Sequence, residues 1–136
     1  MSLWPHRWPA ALRGWAYAAA VAILLYLTLA PARDLPKVSM WDKGEHSIAW
    51  FVLAGVGLAF WPARPRRVAA FALTLGALIE VLQAVMPLGR DGDWRDWVAD
   101  SVGVMVALLA WAAVLGFRAV ASLNLKRPGR RAGPRA

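Results

Sequence analysis

Apolar residues in this chain run together in four blocks, 11–30, 46–61, 68–86 and 97–117, separated by short polar connectors. Two blocks are about 20 residues long, and the other two hold 16 and 19 residues with polar edges. At about 1.5 Å of rise per helical residue, each crosses or nearly crosses a hydrocarbon layer of about 30 Å. A soluble core would need polar elements wrapped around these blocks, and the connectors are too short to supply them. The pattern therefore predicts an all-α membrane protein. Its four transmembrane helices, about 11–30, 44–61, 68–86 and 97–117, form an antiparallel bundle within a single domain, 1–125. A basic tail, 126–136, follows; it is rich in Pro and Gly and is read as disordered.

Punctuation between the blocks agrees. Pro31 and Pro36 open the longest connector, 31–45, which is expected to lie along the outer surface with a short interfacial turn around 38–41. Pro62 and Pro65 bracket a tight basic turn, so the second and third helices should be antiparallel neighbours. Pro87 closes the third helix, and 88–95 returns the chain into the fourth. Beyond Phe117 that helix is able to continue amphipathically to Leu125. Thr28-Leu29-Ala30 has the small-residue look of a signal cleavage site, but Pro31 follows it and the apolar run is long, so the first helix is read as uncleaved. Trp15, Trp41, Trp61, Trp94 and Trp97 fall near the expected helix ends, where tryptophan favours the membrane interface.

Composition sharpens this picture. Hydrophobic residues make up 60% of the chain, against about 45–50% in soluble domains. With no cysteine, disulfides, thiolate nucleophiles and thiolate metal sites are excluded. The net charge of +8 has no groove to line, so nucleic acid is not an expected partner. Of the 16 Lys and Arg, only Arg33, Lys37, Lys43, Arg90 and Arg95 fall in the first and third loops. The rest lie at the N-terminus, in the second loop and in the tail, which places both termini and the second loop on the cytoplasmic side. All eight acids then lie on or toward the outer side.

Those acids define the candidate chemistry, because a carboxylate inside a spanning segment costs roughly 2.5–3.5 kcal/mol on insertion scales. Glu80 sits about 9 Å below the outer end of the third helix, with Gln83 one turn nearer the surface and Gly76 one turn deeper. Asp96 and Asp100 are an i,i+4 pair on one face of the fourth helix, which Gly103 extends inward. Asp42, Lys43, Glu45 and His46 cluster at the start of the second helix. These residues predict one outward-opening polar pocket, with Glu80 deepest, Gln83 and His46 above it, Asp100 opposite, and Arg90 lying over it. Plainer readings stand beside this one. Asp93 or Asp96 serves equally as a helix N-cap, His46 as a water-satisfied interfacial histidine, and Lys43 as a snorkelling cation. Glu80 with Gln83 serves equally as a packing hydrogen bond between helices. A metal set of His46, Glu80, Asp96 and Asp100 is conceivable, but a single histidine argues against it, and no metal or cofactor is expected.

The ordered set Asp42-Lys43-x-x-His46, Glu80-x-x-Gln83, Arg90, Asp96, Asp100 and Gly103 resembles the VanZ-like membrane family over about 42–103. Asp100 departs from the Asn frequent at that position. The resemblance implies a place in the cell envelope and an association with low-level resistance to the glycopeptide teicoplanin; it implies no reaction. Three functions are open. The first is binding or protection at the outer leaflet, involving a lipid-linked precursor, a headgroup or a glycopeptide. The second is an intramembrane enzyme acting on a lipid-linked substrate, with Glu80 as acid or base. The third is a proton-coupled transporter subunit, which four helices would support only in an oligomer. Membrane lipids are the remaining expected partners.

Overall fold

The computed structural model describes residues 5–30, 42–86 and 92–126. A short 3-10 turn, Pro5–Arg7, leads into four helices: α1 (Ala10–Leu29), α2 (Asp42–Phe60), α3 (Pro65–Val85) and α4 (Trp94–Lys126). The described chain is all-helical. Among the described residues, three helices are long and apolar enough to cross a membrane, over Ala10–Leu29, Pro65–Val85 and Trp94–Leu123. The second helix is not among them, because its first turns carry Asp42, Lys43, Glu45 and His46. The interfacial turn expected at 38–41, Arg90 and the tail 127–136 lie outside the described residues, as does the side chain of Asp42.

Proline sets most of the boundaries. Ala30 and Met86 both turn extended, with ψ of 145° and 139°; each directly precedes a proline, whose ring disfavours the helical region for the residue before it. Pro65 occupies the first turn of α3, where its missing N–H costs no helical bond. The fourth helix starts three residues earlier than the 97 expected from hydropathy and reaches Lys126. Its early start follows from Asp93, whose Oδ1 accepts the Arg95 backbone N–H at 2.9 Å and so caps the helix. Its length follows from a sequence with no proline before 128.

Specific contacts fix the helix directions. Lys43 meets Asp93 and Asp96, His46 meets Asp100, and Ser47 Oγ donates to the Ala99 carbonyl at 2.9 Å, so α2 and α4 run the same way. Trp50 Nε1 donates to the Ala72 carbonyl at 3.0 Å, and Trp97 Nε1 to that of Leu73 at 3.0 Å. Both bonds tie α3 to helices running against it. Helix α1 follows α3: Tyr17 packs edge-on against Trp61 and tilted against Phe71, and Gln83 Nε2 reaches the Thr28 carbonyl at 2.8 Å.

Trp50, Leu53, Ala54 and Leu58 of α2 form the centre of the core, packed on Ala72, Leu75 and Ile79 of α3 and on Val104 and Ala107 of α4. Outward-facing positions are also apolar, among them Ile23, Leu78, Val81, Val102, Met105 and Leu109. A water-soluble protein does not normally expose apolar surface on this scale; lipid-facing helices do. One glycine controls the closest approach. A Cβ on Gly103 would collide with the Ser47 carbonyl oxygen and lie 2.9 Å from the Phe51 nitrogen, so α4 sits against the α2 backbone only because that atom is missing.

Candidate functional site

Helix direction brings the start of α2, the end of α3 and the start of α4 to one end of the molecule, and every described acidic residue with them. At the opposite end Arg13 Nη1 donates to the Phe60 carbonyl at 2.7 Å, near Arg64 and Arg67 of the α2–α3 turn. An orphan carbonyl at a helix C-terminus is thereby satisfied by a cation. The molecule is acidic at one end and basic at the other.

At the acidic end Lys43 Nζ pairs with Asp93 Oδ2 at 3.1 Å and also contacts Asp96 Oδ1. The carboxylate of Asp96 raises the Lys43 pKa above its ordinary value. That of Asp93 is lowered, first by the Arg95 backbone N–H and then by Lys43. Of the two capping candidates, Asp93 takes the role, which leaves Asp96 free for the lysine. Rather than snorkelling, Lys43 clasps α2 to the start of α4.

One turn further in, His46 Nδ1 lies 2.9 Å from Asp100 Oδ1, while His46 Nε2 is 3.8 Å from Asp96 Oδ2. The imidazole stacks on Trp50 with ring centroids 6.0 Å apart and planes at 19°, and Trp50 is itself fixed by its bond to the Ala72 carbonyl. Glu80 approaches from α3. Its Oε2 accepts the Asp93 backbone N–H at 2.8 Å, which joins the end of α3 to the cap of α4. One ligating atom each from His46, Glu80 and Asp100 lies within 4.8 Å of the others.

The depth order differs from the expected one. Asp100, with 0% of its surface exposed, is deeper than Glu80 at 8%. The antiparallel register sets Glu80 level with Asp93 and places Gly76, a turn deeper, beside Asp100; a Cβ there would lie 2.9 Å from Asp100 Oδ2. Gln83 does not share the cluster. It turns to the Thr28 carbonyl of α1, so it acts as a helix-packing contact. His46, Glu80, Asp96, Asp100 and Lys43 are brought together. Three participants were not singled out from sequence: Trp50, Ser47 and, as a link to Glu80, Asp93. An Asp ahead of a helix was a readable capping signal; the roles of Trp50 and Ser47 depend on which faces of α2 meet α3 and α4.

Two carboxylate oxygens of the cluster remain without a hydrogen-bond partner among the described residues. Glu80 Oε1 and Asp100 Oδ2 are both buried and both unpaired. Leaving a buried polar atom unsatisfied costs about 1–3 kcal/mol, more where it carries charge. Such atoms mark a place where something else binds or a proton resides.

Fold and site together define a class: an all-helical protein with three helices able to span a membrane and a carboxylate–histidine cluster between α2, α3 and α4. No protein-family model matches the chain, and no curated protein or solved structure is significantly similar to it.

Proposed function

We propose that this protein is a multi-pass component of the bacterial cytoplasmic membrane. All four helices cross as an antiparallel bundle with both termini inside, and the cluster opens outward as a binding pocket for the polar headgroup of a lipid-linked envelope precursor. The single observation carrying this reading is the convergence of His46, Glu80 and Asp100 from three helices around two buried, unpartnered carboxylate oxygens. An ionisable group inside a spanning segment is a functional-site candidate by default. Orientation is supported by the charge poles, since the basic end belongs in the cytoplasm. The crossing of α2 is supported by its burial. Its polar residues turn toward α3 and α4, while outward positions such as Ile48, Phe51 and Val52 are apolar.

Binding at the outer face accords with the resemblance to the VanZ-like family, whose association with glycopeptide resistance needs a ligand or protective contact outside the membrane. The test is saturable binding of a lipid-linked cell-wall precursor to the purified protein in nanodiscs. Binding that is lost in Asp100→Asn and retained in Glu45→Gln supports the reading; no saturable binding to the wild type rejects it.

A second reading, an intramembrane enzyme on a lipid-linked substrate, is favoured by the His46–Asp100 contact, since an imidazole oriented by a buried carboxylate is the arrangement of a general base. Turnover of the bound precursor that disappears in His46→Ala would select it over binding alone.

A further inference from the structure

We propose that His46, Glu80 and Asp100 hold a divalent first-row metal ion, Mn²⁺ or Zn²⁺, and that the pocket meets its ligand through that ion. Three observations converge. First, the ligating atoms of the three residues already lie within 4.8 Å of one another, each from a different helix. The 2.9 Å between His46 Nδ1 and Asp100 Oδ1 matches the roughly 3 Å between adjacent ligands when each sits about 2.1 Å from a metal. Second, the unpartnered oxygens belong to the two carboxylates in the set, Glu80 Oε1 and Asp100 Oδ2. The opposite oxygen of Glu80 is engaged by the Asp93 N–H at 2.8 Å. Such a supporting contact orients a metal-binding carboxylate. Third, Gly76 leaves the space beside Asp100 Oδ2 that any other residue would fill with its Cβ.

Charge supplies the physical reason. Two carboxylates removed from water repel each other, and their desolvation is costly unless compensated. A divalent ion neutralises both at once, and one neutral imidazole completes three protein ligands. The donor set selects the metal: nitrogen disfavours Mg²⁺ and Ca²⁺, and the chain has no thiolate to select softer ions. Three protein ligands leave at least one coordination position open. That position is where an oxygen of a headgroup phosphate, carboxylate or hydroxyl binds, so an acidic pocket is able to accept an anionic ligand. This last step rests on the pocket reading above; the ion site itself does not.

The experiment uses the full chain in detergent, stripped with chelator and titrated with Mn²⁺ while the EPR signal of the free ion is followed. One tightly held Mn²⁺ per chain, displaced by Zn²⁺, is expected. Glu80→Gln and Asp100→Asn are each expected to weaken binding by more than the roughly tenfold cost of losing a supporting group, with Glu45→Gln unchanged. Should those variants misfold, the wild type alone decides: pulsed EPR of bound Mn²⁺ must show nitrogen coupling from one imidazole. Binding well below one ion per chain, affinity indifferent to Glu80→Gln and Asp100→Asn in folded protein, or no nitrogen coupling overturns the proposal. Precursor binding with and without the ion separates the two readings. Ion binding without precursor binding leaves the metal site standing and rejects the pocket. Precursor binding that is equal in chelator rejects the ion as the contact to the ligand and keeps the pocket.

Discussion

His46 and Asp100, 54 residues apart, meet at 2.9 Å across the α2–α4 interface, and the carboxylate has no exposed surface. The two side chains come from different helices, so the pair is a tertiary contact that holds the parallel α2 and α4 in register. Removing the histidine leaves Asp100 buried with both oxygens uncompensated.

His46→Ala is therefore expected to destabilise the protein by about 3 kcal/mol, because breaking a buried pair strands a charge. Asp100→Asn, which keeps the shape and an acceptor, should cost less. A double-mutant cycle measured by unfolding in mild detergent should give a coupling of about 1–3 kcal/mol. Additive effects would show that the two side chains do not interact.

Two glycines provide a packing contrast. Gly103→Ala forces a methyl group into the Ser47 carbonyl, and overpacking of this kind costs typically 1–3 kcal/mol. A Cβ at Gly55 meets nothing within 4 Å. Gly55→Ala should be neutral or stabilising by up to about 1 kcal/mol, the helix-propensity difference. Thermal unfolding of both variants under one condition checks the pair.

Trp50 and Trp97 both donate to α3 carbonyls, but Trp50 is fully buried whereas Trp97 is 38% exposed. Trp50→Phe should lose about 0.5–1.5 kcal/mol by removing the buried hydrogen bond to the Ala72 carbonyl. It should also loosen the ring that supports His46. Trp97→Phe should cost clearly less, and equal losses would mean that burial does not decide the effect.

The Lys43 clasp makes stability depend on pH at both extremes. The Asp93 pKa is lowered in the fold, so its contribution is complete above the ordinary carboxylate range and disappears as pH falls through the lowered value. The Lys43 pKa is raised, so its contribution is complete below the ordinary lysine range and disappears as pH rises through the raised value. Lys43→Met should flatten the alkaline arm of a melting-temperature profile and shrink the acid arm. An unchanged profile would show that the clasp does not form in solution.

The absence of native cysteine makes topology directly measurable. Arg95→Cys, at the exposed start of α4, should react with a membrane-impermeant maleimide on intact cells. Ser122→Cys, near its other end, should react only after the membrane is opened. The reverse pattern would invert the orientation and put the site in the cytoplasm.

The sequence by itself determined the elements, because their causes are local. Long apolar runs set the helices, and prolines at 31, 65 and 87 set three of their ends. It also named most residues of the polar cluster, since a carboxylate in an apolar run is conspicuous at any register. What only the tertiary structure decided was which of them meet. Glu80 and Gln83 are three residues apart, roughly 60° around the helix. That angle is enough to send Glu80 toward α4 and Gln83 to the Thr28 carbonyl of α1. The depth of Asp100, the Lys43 clasp and the two unpaired oxygens likewise follow from how α2 and α4 lie side by side. Their approach is set by a missing atom at Gly103, a long-range steric fact that no local pattern encodes.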